Sequence, residues 1–251
     1  MGGLGSNCHR WMDLAGKVAL VTGASRGIGR ATAVALAARG VRVVVCSRSR
    51  GALEVLAGET GGVAVVGDVR DEAGVAKLVR EVVDEMGGLD VLVNSAGIGR
   101  IAAVSDGNPE DWRAMWEVNV MGTALCSRAA LAVFPESGGH IVNLGSLSGH
   151  RVPSVGGFYS ATKHAVRAMT EAMRVELRKA GSRTRVTMLS PGFVDTPLVD
   201  EYLGAAGKTR EDLGLEMIPA AEVARAVVHV LEAPDAVEYH DILLRPREQI
   251  S

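Results

Sequence analysis

The sequence predicts an α/β fold: a doubly wound parallel sheet of about seven strands, covered by helices on both faces and forming a single domain. Three observations carry this. Short, continuous apolar runs recur along the chain, each reached from the last through a helical stretch, and glycine and polar residues gather just after those runs. Nothing in the 251 residues resembles a linker rich in Pro, Gly or Ser. Strands buried on both faces are near-continuous apolar segments, and strands joined through helices lie parallel.

Lys17 to Thr22 is the first such run, ending in Gly23-Ala24-Ser25-Arg26-Gly27-Ile28-Gly29 before an Ala-rich helix over Arg30 to Arg39. Glycines allow a tight turn and close approach of a phosphate, and the next helix offers unpaired N–H groups at its positive end. A pyrophosphate suits this turn, although its GxxxGxG spacing differs from the general GxGxxG fingerprint. Val41 to Cys46, Val63 to Val66, Leu89 to Val93, His140 to Leu144, Arg185 to Ser190 and Asp241 to Leu244 are the remaining strands. The expected helices are Ala52 to Glu59, Asp71 to Met86, one long helix from Pro109 to about Phe134, Tyr159 to about Ala180, and Pro219 to Ala233. Thr196 to about Ile218 is a long connection with Leu198, Tyr202 and Leu203, of the kind that forms lids.

Bulk composition narrows the function. With 47% hydrophobic and 22% charged residues the chain can bury a large core, and a net charge of -2 with no basic run argues against binding nucleic acid. Cys8, Cys46 and Cys126 are widely spaced and suit buried thiols in a reducing, cytoplasmic setting. The histidines make no metal-binding pair, so no metal is expected, and no run of apolar residues is long enough for a membrane span. Residues 1–13 are expected as a flexible extension before a catalytic domain over 14–251.

The chemistry concentrates between Asn143 and Lys163. Tyr159 and Lys163 lie four apart on one helical face, so their heads can meet. A phenol of pKa ~10 is a poor acid or base at neutral pH, and a nearby ammonium is expected to lower that value. Ser146, at the C-terminal end of a strand, can hydrogen-bond an oxygen placed between them. The trio suits proton transfer to or from an alcohol.

In order along the chain stand Thr22-Gly23-x-x-x-Gly27-x-Gly29, Asp68-Val69, Asn94-x-Ala96-Gly97, Asn119, Ser146, Tyr159-x-x-x-Lys163, and Pro191-Gly192 with Thr196. Together they resemble the short-chain dehydrogenase/reductase superfamily, in its compact single-domain branch with a Rossmann-type sheet, over roughly Leu14 to Ile250. Ser148 to Val152 and the tail from Asp241 to Gln249 are similar to a subgroup of 3-hydroxy-acid and clavulanic-acid dehydrogenases and carbonyl and hydroxysteroid reductases.

The resemblance implies Tyr159 as general acid/base, Ser146 orienting the substrate oxygen, Lys163 lowering the phenol pKa and holding the nicotinamide ribose, and Asn119 bending its helix and anchoring a water. It implies a cofactor site of Gly23, Ser25, Arg26, Gly27, Ile28, Gly29, Ser47, Arg48, Asp68, Val69, Asn94, Ala96, Gly97, Tyr159, Lys163, Pro191, Gly192, Val194 and Thr196. It also implies assembly as a homodimer or homotetramer through the Trp112 and Tyr159 helices. Ser95 and Gly145 depart from the family's usual Asn and Ser, outside the acid/base trio.

Charge selects the cofactor. An acid at the end of the second strand suits the ribose 2′-OH of NAD, whereas a 2′-phosphate wants arginine. That end is Cys46-Ser47-Arg48-Ser49-Arg50, with no acid between Val41 and Leu53. Arg48, with Arg26, is therefore expected to fork onto the phosphate of NADP(H). Ser146, Leu147, Val152, Phe158, Tyr159, Phe193, Leu198 and Tyr202 are the expected substrate pocket, mostly apolar, which favours a ketone or secondary alcohol with an apolar body. His150 or Arg151 are alternatives for receiving a substrate carboxylate. The competing reading of the chain is a regulatory protein that binds NADPH without turnover.

Overall fold

A computed structural model describes residues 11–153, 156–204 and 207–249. The strands β1 (Val18–Thr22), β2 (Arg42–Ser47), β3 (Val63–Val66), β4 (Val91–Asn94), β5 (His140–Leu144) and β6 (Arg185–Pro191) alternate with helices. Those helices are α1 (Gly27–Ala37), α2 (Arg50–Thr60), α3 (Glu72–Met86), α4 (Pro109–Met115), α5 (Gly122–Leu131) and α6 (Gly157–Lys179). Beyond β6 come β7 (Val194–Asp195), α7 (Pro197–Gly204), β8 (Ile218–Pro219), α8 (Ala220–Glu232) and β9 (Asp241–Leu244). Seven strands form one parallel sheet in the order β3-β2-β1-β4-β5-β6-β9.

The side-chain alternation of a strand explains the two cores. Ala19 and Val21 of β1 face one layer with Leu36, Val227 and Leu231, while Val18 and Leu20 face the other with Leu78, Val82 and Cys126. Both faces are thus sealed, as the unbroken apolar runs require. Chain order reverses between β1 and β4, the place where such sheets open a crevice beyond their C-terminal ends. The register pairs Thr22 with Asn94 and Asn94 with Asn143, bringing the three strand ends level at that crevice.

Two expected elements differ. The single helix from Pro109 to about Phe134 is three pieces: α4, a π-helical turn over Trp116–Met121, and α5. Inside the π turn the carboxamide of Asn119 is fully engaged, accepting from Ile98 N (2.9 Å) and donating to Ile98 O (2.9 Å) and Thr162 Oγ1 (3.1 Å). Sequence periodicity gives no sign of the wider turn, because the cause is a loop 21 residues away. The connection from Thr196 to Ile218 is not irregular throughout: Pro197 opens the helix α7, and β7 pairs with β8 to close the segment into a flap.

Of the extension expected over residues 1–13, residues 1–10 lie outside the described residues. Residues 11 and 12 lie against α8, with Met12 N donating to Glu232 O (2.7 Å) and the Trp11 ring 5.1 Å from His229. Burial raises the Cys46 and Cys126 thiols to about 12, so both are packing groups here; Cys8 lies outside the described residues. Among the described residues no helix is long and apolar enough to cross a membrane.

Candidate active site

A cleft of about 370 Å³ runs along the C-terminal ends of the strands, from the glycine turn to Ser146 and Tyr159. Its first wall is backbone. Gly23 has φ +65°, and a Cβ there would stand 2.6 Å from Ala96 Cα; a Cβ at Gly29 would stand 2.6 Å from Gly23 O. Arg26 precedes α1 without capping it through its side chain, and Gly27, Ile28 and Gly29 of the first turn line the cleft. Backbone donors at a helix N-terminus in a groove that tolerates no side chain fit a dinucleotide pyrophosphate.

The expected cofactor residues gather along this groove. Gly23, Ser25, Arg26, Gly27, Ile28 and Gly29 line its floor, followed by Ser47 and Arg48 after β2 and by Asp68 and Val69 after β3. Ala96 and Gly97 after β4, then Tyr159, Lys163, Pro191, Gly192, Val194 and Thr196, complete it. Asn94 is the exception. Its side chain is buried and donates to Ser127 Oγ (3.0 Å) and Asn143 Oδ1 (2.9 Å), tying strand ends together behind the groove. Sequence reasoning missed Ser95, Ile98, Gly145, Val118 and Val199 on the lining. The first three adjoin residues it named, but Val118 faces the cleft from the π turn, which the sequence does not signal.

At the far end of the groove from Tyr159 the two arginines differ. Arg26 is taken: its guanidinium forms a two-pronged ion pair with Glu201 of α7, one contact being Nη2 to Oε2 at 3.0 Å. Arg48 lines the cleft and acts through charge on Asp68. The carboxylate of Asp68 is itself held by Arg70 (Nη2 to Oδ2, 2.6 Å), whose hydrogen bond keeps it below the ordinary carboxylate range. In this arrangement Glu201 of α7 competes for Arg26, so a phosphate forked by both arginines has that carboxylate to displace.

At the other end Ser146 follows β5 in an extended conformation, its Oγ accepting from Ser148 N (3.1 Å), and it lines the cleft together with Tyr159. One helical turn along α6, Lys163 is buried, with Nζ donating to Leu144 O (2.9 Å) and lying 5.8 Å from the Tyr159 ring centroid. The expected acidification of the phenol by Lys163 is not what this geometry produces. Burial disfavours the charged form of each group, lifting Tyr159 to about 12 against the opposing Ser146 hydrogen bond, and lowering Lys163 to about 8. Lys163 turns its head to a carbonyl beneath the ring rather than to the hydroxyl. Tyr159 thus keeps its proton at neutral pH and is set up as a donor. Asn119 does not line the cleft; its side chain binds the loop after β4 to α6.

The substrate end is a lid of apolar side chains. Val199, Tyr202 and Leu203 of α7 pack with Ile101, Phe193 and Tyr159 itself, and the Tyr202 ring lies 5.8 Å from that of Tyr159. A Cβ at Gly99 would meet Tyr202, Leu198 and Tyr159 at 3.4–3.5 Å, ordinary packing distance, so the lid and the phenol both pack against the loop after β4. Ser146, Tyr159 and Leu198 line the cleft as expected, with Phe193 and Tyr202 behind them in the lid cluster. Three expected pocket residues lie elsewhere. Phe158 stacks on Trp112 (5.6 Å), Val152 is exposed, and Leu147 is buried in the turn after Ser146. Each sits next to a site residue in sequence but its side chain points another way. His150, an alternative carboxylate receptor, is held by Ser190 and Asp241.

A family model described as short chain dehydrogenase matches residues 17–205. Dehydrogenase/reductase SDR family member 11 of Gallus gallus is 41% identical over 97% of this chain and 100% of its own length. Among solved structures, the closed form of serine dehydrogenase complexed with NADP+ superposes with a TM-score of 0.87, at 29% identity over 93% of this chain and 96% of that one. A short-chain dehydrogenase/reductase from Burkholderia phymatum in complex with NAD gives 0.84, at 28% identity over 92% and 90%. The backbone groove, the Ser146, Tyr159 and Lys163 cluster at its end and these matches lead to one conclusion: the chain belongs to the short-chain dehydrogenase/reductase family, oxidoreductases that act on CH–OH donors with a nicotinamide cofactor.

Proposed function

We propose that this protein is an NADP(H)-dependent carbonyl reductase, interconverting a ketone and a secondary alcohol with Tyr159 as acid/base. The observation that carries the reading is the gathering of Ser146, Tyr159 and Lys163 at the end of a groove continuous with the glycine turn. When bound, the nicotinamide supplies or accepts the hydride. The residues of the chain handle the oxygen. In reduction Ser146 and Tyr159 together grip the carbonyl, and the Tyr159 O–H bond breaks as its proton passes to that oxygen. Lys163, one turn below, offsets the phenolate charge left behind, and the apolar face of α7 keeps water from the site.

Absence of an acid at the end of β2 and the placement of Arg48 on the cleft support NADP(H) over NAD(H). An arginine hydrogen bond to a charged group contributes about 1.5–3 kcal/mol, roughly ten- to hundredfold in affinity. Arg48→Asp is expected to erase that preference and leave NADH turnover close to wild type. Comparable Michaelis constants for NADPH and NADH in the unaltered enzyme would refute it. Leu198, Val199 and Tyr202 favour an apolar substrate body, which a panel of diketones, hydroxy acids and steroids resolves; NADPH binding without turnover of any of them would favour a regulator. The exposed Trp116, Met121 and Val175 support pairing of copies across α4 to α6, and a clean 26 kDa monomer in light scattering would remove that assembly.

A further inference from the structure

Ser146 orients nothing unless its own turn is fixed, and the end of a strand is a poor anchor. The chain leaves β5 at Ser146 and makes a single 3-10 turn over Leu147–Gly149, capped by His150. Three surfaces confine that turn. Beneath it, Gly145 packs directly on β6, where a Cβ would push aside the Met188 methyl and approach Ser190 Oγ to 3.1 Å. Beside it, a Cβ on Gly149 would come within 2.8 Å of the Lys163 carbonyl, so the turn presses on α6 next to the catalytic lysine.

The third surface is made by His150. Its Nε2 lies 3.0 Å from both Ser190 Oγ on β6 and Asp241 Oδ2 at the start of β9, and Ser190 Oγ donates to Asp241 Oδ1 at 2.8 Å. Ser190 spends its proton on the carboxylate, so it accepts from the imidazole, and the three groups close on one another. Ser190 is fully buried and absent from the cleft, which excludes it as a nucleophile despite its partners. Arg167 of α6 faces the same carboxylate at 4.0 Å. Burial outweighs Asp241 and holds the imidazole below its ordinary pKa, so at neutral pH a neutral ring with its N–H on Nε2 makes these contacts.

We infer that His150 is a positioning residue for carbonyl reduction: through Ser190 and Asp241 it clamps the far end of the Ser146 turn to the last two strands of the sheet, holding the Ser146 hydroxyl on Tyr159. The inference rests on the function proposed above, since a well-placed Ser146 matters only where an oxygen is being protonated. It also gives the C-terminal strand a task at the site, although β9 contributes nothing to the cleft.

The test compares His150→Phe, which keeps a ring but no donor, with His150→Gln, whose amide N–H reaches about as far as Nε2. In His150→Phe the kcat for the best ketone of the panel is expected to fall roughly ten- to hundredfold, the scale of a misplaced catalytic group. The NADPH Kd is expected to stay within about twofold, and His150→Gln to recover most of the loss. In a Ser146→Ala background the same change is expected to cost almost nothing further, because it acts through Ser146. Hydrogen exchange of a peptide spanning residues 143–151 gives a readout free of turnover: faster in His150→Phe, restored in His150→Gln. An unchanged kcat, an equal loss in the Ser146→Ala background, or unaltered exchange overturns the clamp. Should the wild type bind NADPH yet reduce nothing, the functional reading fails and the exchange data alone decide on the clamp.

Discussion

The two ends of the cleft are built from different materials. At the glycine turn the walls are backbone, packed so closely that Cβ atoms on Gly23 and Gly29 would sit 2.6 Å from neighbouring atoms, and the turn itself spans seven consecutive residues, 23–29. At the Tyr159 end the walls are side chains from three distant segments: Ser146 after β5, Tyr159 on α6, and Leu198 with Tyr202 on α7. Backbone recognition is indifferent to the rest of the molecule's sequence and binds what all cofactors of this class share. A lid of side chains can be exchanged without touching the sheet, so the proposed function puts substrate selectivity on α7 and the proton transfer on α6.

The largest effect that can break this division is on the chemistry. Tyr159→Phe keeps the ring in the lid cluster and removes the proton, and is expected to lower turnover about 10³-fold, within the range for a lost general acid. Cofactor affinity, measured by fluorescence titration, is expected to change less than about threefold if the two ends are independent; a large loss of binding would merge them. Next comes Gly23→Ala. The new methyl meets the Ala96 backbone from a residue at φ +65°, two penalties that together cost about 2–4 kcal/mol. Urea denaturation should show that loss, and cofactor binding should weaken even where the variant remains folded.

A smaller effect separates the directions of reaction. Burial holds the Tyr159 pKa at about 12, so the phenol is protonated throughout the neutral range. Reduction consumes that proton and is expected to be level from about pH 6 to 8, whereas alcohol oxidation needs the phenolate and should climb about tenfold per pH unit over the same range. Oxidation that levels off near pH 7 would show that the bound cofactor, not burial, sets the phenol's charge. Buried Lys163, lowered to about 8, works against this: its ammonium, which offsets the phenolate charge, is lost as pH rises through that value, so above about pH 8 reduction is expected to fall and the climb of oxidation to flatten.

How legible each end was in the sequence follows from the same contrast. The glycine turn is local, so Gly23, Gly27 and Gly29 announce it, as apolar runs announce the strands and Tyr159 with Lys163 announce a shared helical face. The substrate end depends on where distant segments meet. Val152 and Phe158 were placed in the pocket by their nearness to Ser146 and Tyr159 along the chain, yet one is exposed and the other is stacked on Trp112. Nor does periodicity reveal the π turn, whose cause is Asn119 reaching to Ile98, or the π-turn residue Val118 that faces the cleft. The pKa of Tyr159 was misjudged for a related reason: spacing shows that Lys163 is near, not that Leu144 O takes its ammonium and that the lid dries the phenol.

The smallest effect tests whether the two ends communicate. Glu201 stands on α7, whose apolar face covers Tyr159, while its carboxylate grips Arg26 of the glycine turn. Both side chains are about half exposed, 48% and 49%, so solvent screens the pair and its worth is about 0.2–1 kcal/mol. A 2′-phosphate that needs Arg26 must give up that much to displace Glu201. Glu201→Gln removes the competitor without shortening the side chain, and NADPH affinity is expected to rise up to about fivefold, the equivalent of 1 kcal/mol. NADH, which carries no 2′-phosphate, should bind as before. If the affinities of both cofactors fall together instead, the pair is a strap across the groove rather than a rival for the phosphate, and the cofactor end is partly built by the lid.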